Sequence, residues 1–307
     1  FFLNILISLM NLDKNTKSIL FSLIAVVLWS TSATAFKLTL EGMNFAQLLF
    51  YSSFVSAIVF FVLSYLKRRD ELKKFFRSGN LRNSVILGLL NPFLYYMILL
   101  KAYTLLPAQE AQPLNYTWPI AISIFSVIFL KQKLSPVLII GLVSAFLGVI
   151  IIATSGNLTS LKFHNTLGVV LASGSSIIWA GFWIFNILDR RDDLIKLFGG
   201  FLAGTLFTGI YIFFFDSFLV INPIYFIGAV YVGLFEMGFT FYLWLKGLSL
   251  SKNKAATSTL AYLSPFLSMI FIAIILGEII KPSSIIGLVF IIGGILVQQL
   301  FNKTKLN

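Results

Sequence analysis

The chain reads as an all-α integral membrane protein of ten transmembrane helices, arranged as two inverted five-helix repeats. Composition is the first support: 58% of the 307 residues are hydrophobic, only 11% are charged, and the mean hydropathy is +0.95. A soluble domain of this length does not carry so apolar a composition. Apolar runs of roughly 20 residues, enough to cross a hydrocarbon core of about 30 Å, are the second support. An outer-membrane barrel would instead show strands of about ten residues with alternating polarity. The third support is internal: Gly88, Leu89, Leu100, Lys101 and Leu105 recur as Gly233, Leu234, Leu245, Lys246 and Leu250. Pro119, Pro136, Gly141 and Gly148 recur as Pro265, Pro282, Gly287 and Gly294, one residue out of step with the first set.

Breaks at charged or Pro/Gly positions place the spans near 18–37, 44–66, 83–105, 107–130, 135–153, 167–187, 194–215, 223–247, 254–276 and 283–301. The repeats then cover 18–153 and 167–301, with the division in the 154–166 loop. Phe1 to Leu9 are apolar but too short to span, and Met10 is expected to be the natural start, with no basic region marking a cleaved signal. Between the second and third spans, the cluster Lys67, Arg68, Arg69, Lys73, Lys74, Arg77 and Arg82 reads as a cytoplasmic loop. With both termini cytoplasmic, most Lys and Arg fall inside, and only Lys37, Lys101, Lys162 and Lys281 fall on the other side. Five spans per copy is odd, so the second copy is inverted relative to the first, an arrangement common in carriers. Pro136 and Pro282 fit the first turn of a helix. Gly141 with Gly148, and Gly287 with Gly294, share a helix face and read as scaffold.

The net charge of +12 lies between the apolar segments, which argues against nucleic acid as a partner. With no Cys in the chain, and with the lone His164 read as a solvated loop residue, no metal or other cofactor is expected.

Residues 24–31 (Ile-Ala-Val-Val-Leu-Trp-Ser-Thr), Glu110 followed by Asn115-Tyr116-Thr117-Trp118-Pro119, and the Pro136/Gly141/Gly148 spacing resemble an EamA domain of the drug/metabolite transporter superfamily. The second half resembles another copy, with Trp179 for Trp29 and Pro265 for Pro119. Within the superfamily the pattern is most similar to that of aromatic amino acid exporters. The resemblance implies ten helices around a central cavity lined mainly by helices 1, 3, 4, 6, 8 and 9. Departures accompany it: the second copy reads Ala261-Tyr262-Leu263-Ser264-Pro265, and carries Ala255 and Ala256 in the region of Glu110. The interior of helix 9 has no basic residue, which disfavours phosphorylated substrates.

An ionisable group at bilayer depth is costly and marks a functional candidate. Glu236 lies near the middle of helix 8; its repeat mate is Asn91. Glu236 is the candidate for a substrate ammonium or a coupling proton, against a neutral acid bonded between helices. Glu110, near the outer end of helix 4, is a second coupling candidate, against an ion pair with Lys101. Asn115 and Tyr116 are expected at a cavity wall, because Pro119 removes the usual donor to the Asn115 carbonyl. Trp29, Trp179, Trp183, Tyr96 and Tyr242 are aromatic candidates, each weighed against plain packing. The expected function is secondary export of small organic metabolites, amino acids or related compounds, across a bacterial inner membrane by alternating access, with H+ as a possible coupling ion and the chain acting as a monomer or homodimer. No Walker-type loop supplies nucleotide energy. A lipid or drug flippase is the rival, and an intramembrane enzyme lacks paired acids, a metal motif or a nucleophile motif.

Overall fold

The computed structural model describes residues 13–78, 81–129, 136–157, 165–252, 257 and 259–303. Every regular element among them is helical. Met10, the stretch before it, His164 and the Ala255/Ala256 pair lie outside the described residues.

The polar residues that punctuate the sequence do so as helix caps. Asp13 opens α1 (Lys14–Leu40) by accepting from the Asn15 and Thr16 amides. Asn44 and Gln47 form a reciprocal capping box at the start of α2 (Phe45–Lys67). Asn165 accepts from the Gly168 amide at the head of α8 (Thr166–Leu188), and Asp192 from the Leu194 amide at the head of α9 (Asp193–Phe215). Each such cap contributes about 1 kcal/mol.

The basic segment expected as a loop is itself a helix, α3 (Arg69–Ser78). Asp70 and Glu71 occupy its first turn, where they meet the positive end of the helix. Leu72 and Phe75 are buried, and Phe75 and Phe76 contact Phe198 of α9 at 5.5 and 6.0 Å. Three apolar residues at i, i+3 and i+4 among charges make an amphipathic helix of the kind that lies along an interface.

The remaining elements are α4 (Arg82–Leu105), α5 (Ala108–Asn115), α6 (Trp118–Phe129), α7 (Pro136–Ala153), α10 (Tyr225–Leu250), α11 (Ser264–Ile275) and α12 (Pro282–Lys303). Among the described residues six helices, α1, α2, α4, α8, α9 and α10, are long and apolar enough to cross a membrane; shorter apolar stretches cover Ile139–Ala153, Leu260–Ile275 and Pro282–Val297. The fourth expected span, 107–130, is broken into α5 and α6, so it does not run as one helix. Large apolar side chains such as Phe213, Phe214, Phe215 and Ile274 project from the outer surface, at 68–77% exposure. In water that surface would be untenable; against lipid it is favourable.

The halves interlock reciprocally. α1 packs on α10 and α8 packs on α4, while α2 meets α9 and α7 meets α12. Each partnership maps onto itself or onto another when the halves are exchanged, as a two-fold relation requires. The paired glycines of the repeat supply one of these contacts: a Cβ on Gly148 would lie 2.5 Å from the Gly287 carbonyl oxygen, and one on Gly294 would lie 2.7 Å from that of Gly141. Replacing Gly148 by Val should therefore force α7 and α12 apart. A loss of about 1–3 kcal/mol is expected, read as a lower unfolding midpoint in detergent; an unchanged midpoint would show that the crossing is loose.

At the end of the bundle where α8 meets α9, Arg191 binds Asp189 through Nη2 at 2.6 Å and donates from Nη1 to Ser84 Oγ at 2.8 Å. Lys196 is buried on α9, paired with Asp193 at 2.6 Å. Burial alone would push the Asp189 carboxyl up, but hydrogen bonds from the Arg191 side chain and amide outweigh it and hold the group below its ordinary value of 3.8. A carboxyl whose folded value is depressed stabilises the fold fully above the unfolded value and loses that contribution as pH falls through the folded one. Wild-type protein should thus lose stability below about pH 4 more steeply than Asp189→Asn, which a pH series of melting curves would resolve.

Candidate functional site

The helices are interrupted at one level, and a cavity lies there. In α1 the break falls at Thr31, whose hydroxyl bonds to the Leu28 carbonyl and to the Tyr231 hydroxyl, each at 2.7 Å. In α4 a π-helical turn covers Leu89–Leu94, with the backbone at Asn91 outside the helical region and Pro92 following. In α10 a π-helical turn covers Val232–Glu236, and the backbone leaves the helix at Gly238. These two turns occupy equivalent positions in the repeat. Tyr116 and Thr117 separate α5 from α6, and a 3-10 turn, Thr259–Leu263, precedes α11. Pro119 and Pro265 are each the second residue of the helix that restarts, where a missing amide donor costs nothing. Broken helices are tolerated at bilayer depth only where protein or a cavity meets the freed backbone.

The cavity measures about 70 Å3 and draws on both halves. Trp29, Ser32, Ala33 and Phe36 come from α1; Tyr95, Leu99 and Tyr103 from α4. Gln112, Asn115, Tyr116 and Trp118 come from the interrupted fourth segment, Trp179 from α8, Glu236 from α10, and Ala261 from the turn before α11.

Glu236 is the acid in this wall. Its carboxylate accepts a hydrogen bond from Ser32 Oγ and one from the Tyr96 hydroxyl at 2.9 Å, so α1 and α4 of the first half hold a carboxylate of the second. Asn115 is fixed on both sides: its Oδ1 accepts from the Tyr95 hydroxyl at 3.1 Å, and its Nδ2 donates to Ser175 Oγ at 2.8 Å. Gln112, one turn earlier, differs: its Oε1 is buried and has no donor. A buried acceptor without a donor carries a cost of about 1–3 kcal/mol that a ligand donor could relieve.

Aromatic rings close the cavity toward the end of α10. Trp29 packs against Trp244 at 5.3 Å and Phe241 at 6.0 Å; Trp179 packs against Tyr95 at 4.6 Å and Phe241 at 5.8 Å.

The sequence candidates therefore part company. Trp29, Asn115, Tyr116, Trp179 and Glu236 share the cavity wall. Tyr96 lies behind it, bonded to Glu236. Trp183 stands one ring further out, 6.0 Å from Trp179 and with its indole nitrogen buried and unpartnered. Asn91 is buried with neither side-chain polar atom partnered, and is not among the lining residues. Tyr242 is not among the lining residues, and Lys67 donates to its hydroxyl. Ser32, Tyr95 and Gln112 were not singled out by sequence. Gln112 had a usable signal, being a polar residue one helical turn from Asn115 in an apolar span.

Glu110 does not pair with Lys101. Its carboxylate, 1% exposed, binds Lys281 at 2.9 Å, while the Lys101 ammonium lies 5.2 Å from the Phe45 ring. Around that pair, Gln109 Oε1 accepts from the Lys281 amide at 2.7 Å, and Glu278 accepts from the Ala108 and Gln109 amides, capping α5 from the other half. At the opposite end Arg68 binds Asp192 at 2.6 Å. Both ends are thus bridged between the halves by ionic contacts.

Comparison with known proteins agrees with this architecture. The EamA-like transporter family matches at residues 16–154 and again at 166–298. The chain belongs to that family, and is a multi-pass membrane transporter. It is 25% identical to aromatic amino acid exporter YddG of Escherichia coli (strain K12) over 304 residues, covering 94% of this chain and 98% of that protein. An uncharacterized transporter of Clostridium kluyveri is 23% identical over 303 residues, covering 94% of each. A solved crystal structure shares the fold with a TM-score of 0.67 at 19% identity, over 94% of this chain and 99% of that one.

Proposed function

We propose that the protein is a secondary active exporter of small organic metabolites, amino acids or related compounds, that works by alternating access of two inverted five-helix halves. The carrying observation is Glu236: a carboxylate contributed by one half and held by Ser32 and Tyr96 of the other, in the wall of a cavity between them. A group so placed feels any rearrangement of the halves, which suits it to couple substrate and proton. The distribution of Lys and Arg supports placing both termini in the cytoplasm, and we take the chain to make ten crossings of a bacterial inner membrane. The exporters among the relatives support the substrate class.

The cavity volume supports the mechanism. About 70 Å3 is far below the roughly 300–1,000 Å3 of sites that enclose small organic ligands. Substrate entry therefore requires the halves to separate, and the bridges at either end are the contacts that separation would break. Counterflow in proteoliposomes tests this reading: vesicles loaded with unlabelled substrate should transiently accumulate label from a panel of amino acids, amines, purines and nucleotide-sugars. Absence of counterflow across the whole panel would sink it.

A further inference from the structure

We propose that the cavity selects a hydrophobic amine without a carboxylate over the amino acid bearing the same side chain. The proposal rests on the cavity being the transport site, and refines what is carried. A free amino acid brings an ammonium and a carboxylate, and each must find a partner once removed from water. The wall offers the ammonium a partner in Glu236 and a buried acceptor without a donor in Gln112 Oε1. Trp29, Tyr95, Trp118 and Trp179 add aromatic rings to the wall, and aromatic rings attract a desolvated cation.

A substrate carboxylate finds much less. Among the described residues no Lys, Arg or His lines the cavity. The nearby cations are committed: Lys37 donates to the carbonyls of Tyr103 and Leu106 at 2.9 and 3.0 Å, and Lys281 binds Glu110. Three hydroxyl donors are committed as well, those of Ser32 and Tyr96 to Glu236 and that of Tyr95 to Asn115; the donors that remain on the wall, the Tyr103 and Tyr116 phenols, the Gln112 amide and the indoles, are all neutral. A second carboxylate would also meet Glu236 in the same small space, and like charges there repel. The arrangement therefore recognises a donor group on an apolar or aromatic frame.

Calorimetric titration of the purified full chain in detergent with phenethylamine, phenylalanine and 3-phenylpropionate tests this directly. Phenethylamine should bind at least tenfold more tightly than phenylalanine, and 3-phenylpropionate should not compete. Glu236→Gln should weaken phenethylamine at least tenfold, and Gln112→Leu, which leaves the carboxylate in place, several-fold. Phenylalanine binding as tightly as phenethylamine, no measurable amine binding, or unchanged amine affinity in both variants would overturn the proposal. Counterflow of amino acids alone would leave the transport reading standing while this one fell; amine binding without any counterflow would do the reverse.

Discussion

Glu236→Gln should lower substrate flux in proteoliposomes about ten- to hundredfold and leave the remainder unresponsive to an imposed pH gradient. The size follows from what the substitution removes. Hydrogen bonds to a charged group contribute about 1.5–3 kcal/mol, which corresponds to that range of rate or affinity. Gln keeps the volume of Glu and one acceptor oxygen, so either Ser32 or Tyr96 loses its partner while the packing of α10 against α1 stays. Glu236→Asp should fall between the two, because a shorter side chain draws back from both donors. Glu110→Gln provides the comparison: if it loses the pH response and Glu236→Gln retains it at wild-type size, the coupling group lies at the end of the bundle rather than at its centre.

Why Glu236 could be found from sequence, and much of its surroundings could not, has a physical explanation. Hydropathy places a residue by depth, and a carboxylate near the middle of an apolar run is expensive wherever its side chain points. Direction is another matter. Asn91 is the repeat mate of Glu236 and sits in the same kind of π-helical turn. Its backbone, however, takes φ −146° and ψ 121°, so equivalent positions do not aim equivalent side chains. Ser32 escaped notice because an intramembrane serine usually bonds to its own helix, as Ser30 does to the Val26 carbonyl; that it reaches a carboxylate in the other half is a fact of packing.

The fold was more legible than the site, for the same reason. Bilayer thickness dictates span length, and caps such as Asn44 and Asp192 are local, so helix ends can be read from a few residues. The α3 helix was hidden because its charges dominate a hydropathy average, although Leu72, Phe75 and Phe76 carry the helical period. Partnerships are not local at all. Lys101 is nine positions from Glu110 and Lys281 is 171 away, yet the distant lysine makes the pair.

That exchange of partners sets up the second large effect. Lys281→Met should destabilise the protein by about 2–3 kcal/mol, somewhat under the 3–5 of a wholly buried pair, because the Lys281 side chain is 39% exposed while Glu110 is 1% exposed. The cost arises from the acid left behind: Glu110 Oε2 already has no partner, and without the ammonium the whole carboxyl must be protonated or stay buried and charged. Replacing Glu110 by Gln in the same protein removes that penalty, so the double variant should recover at least half of the lost stability, a coupling that a double-mutant cycle measures. Lys101→Met should stay within about 0.5 kcal/mol of wild type, the usual range of a surface change, since it gives up only a contact with the Phe45 ring. Melting midpoints in detergent for the four variants decide between the lysines. If Lys101→Met proves the damaging one and Lys281→Met is silent, the Glu110 pair forms within the first half, and the bridge from α5 to α12 does not hold that end of the bundle together.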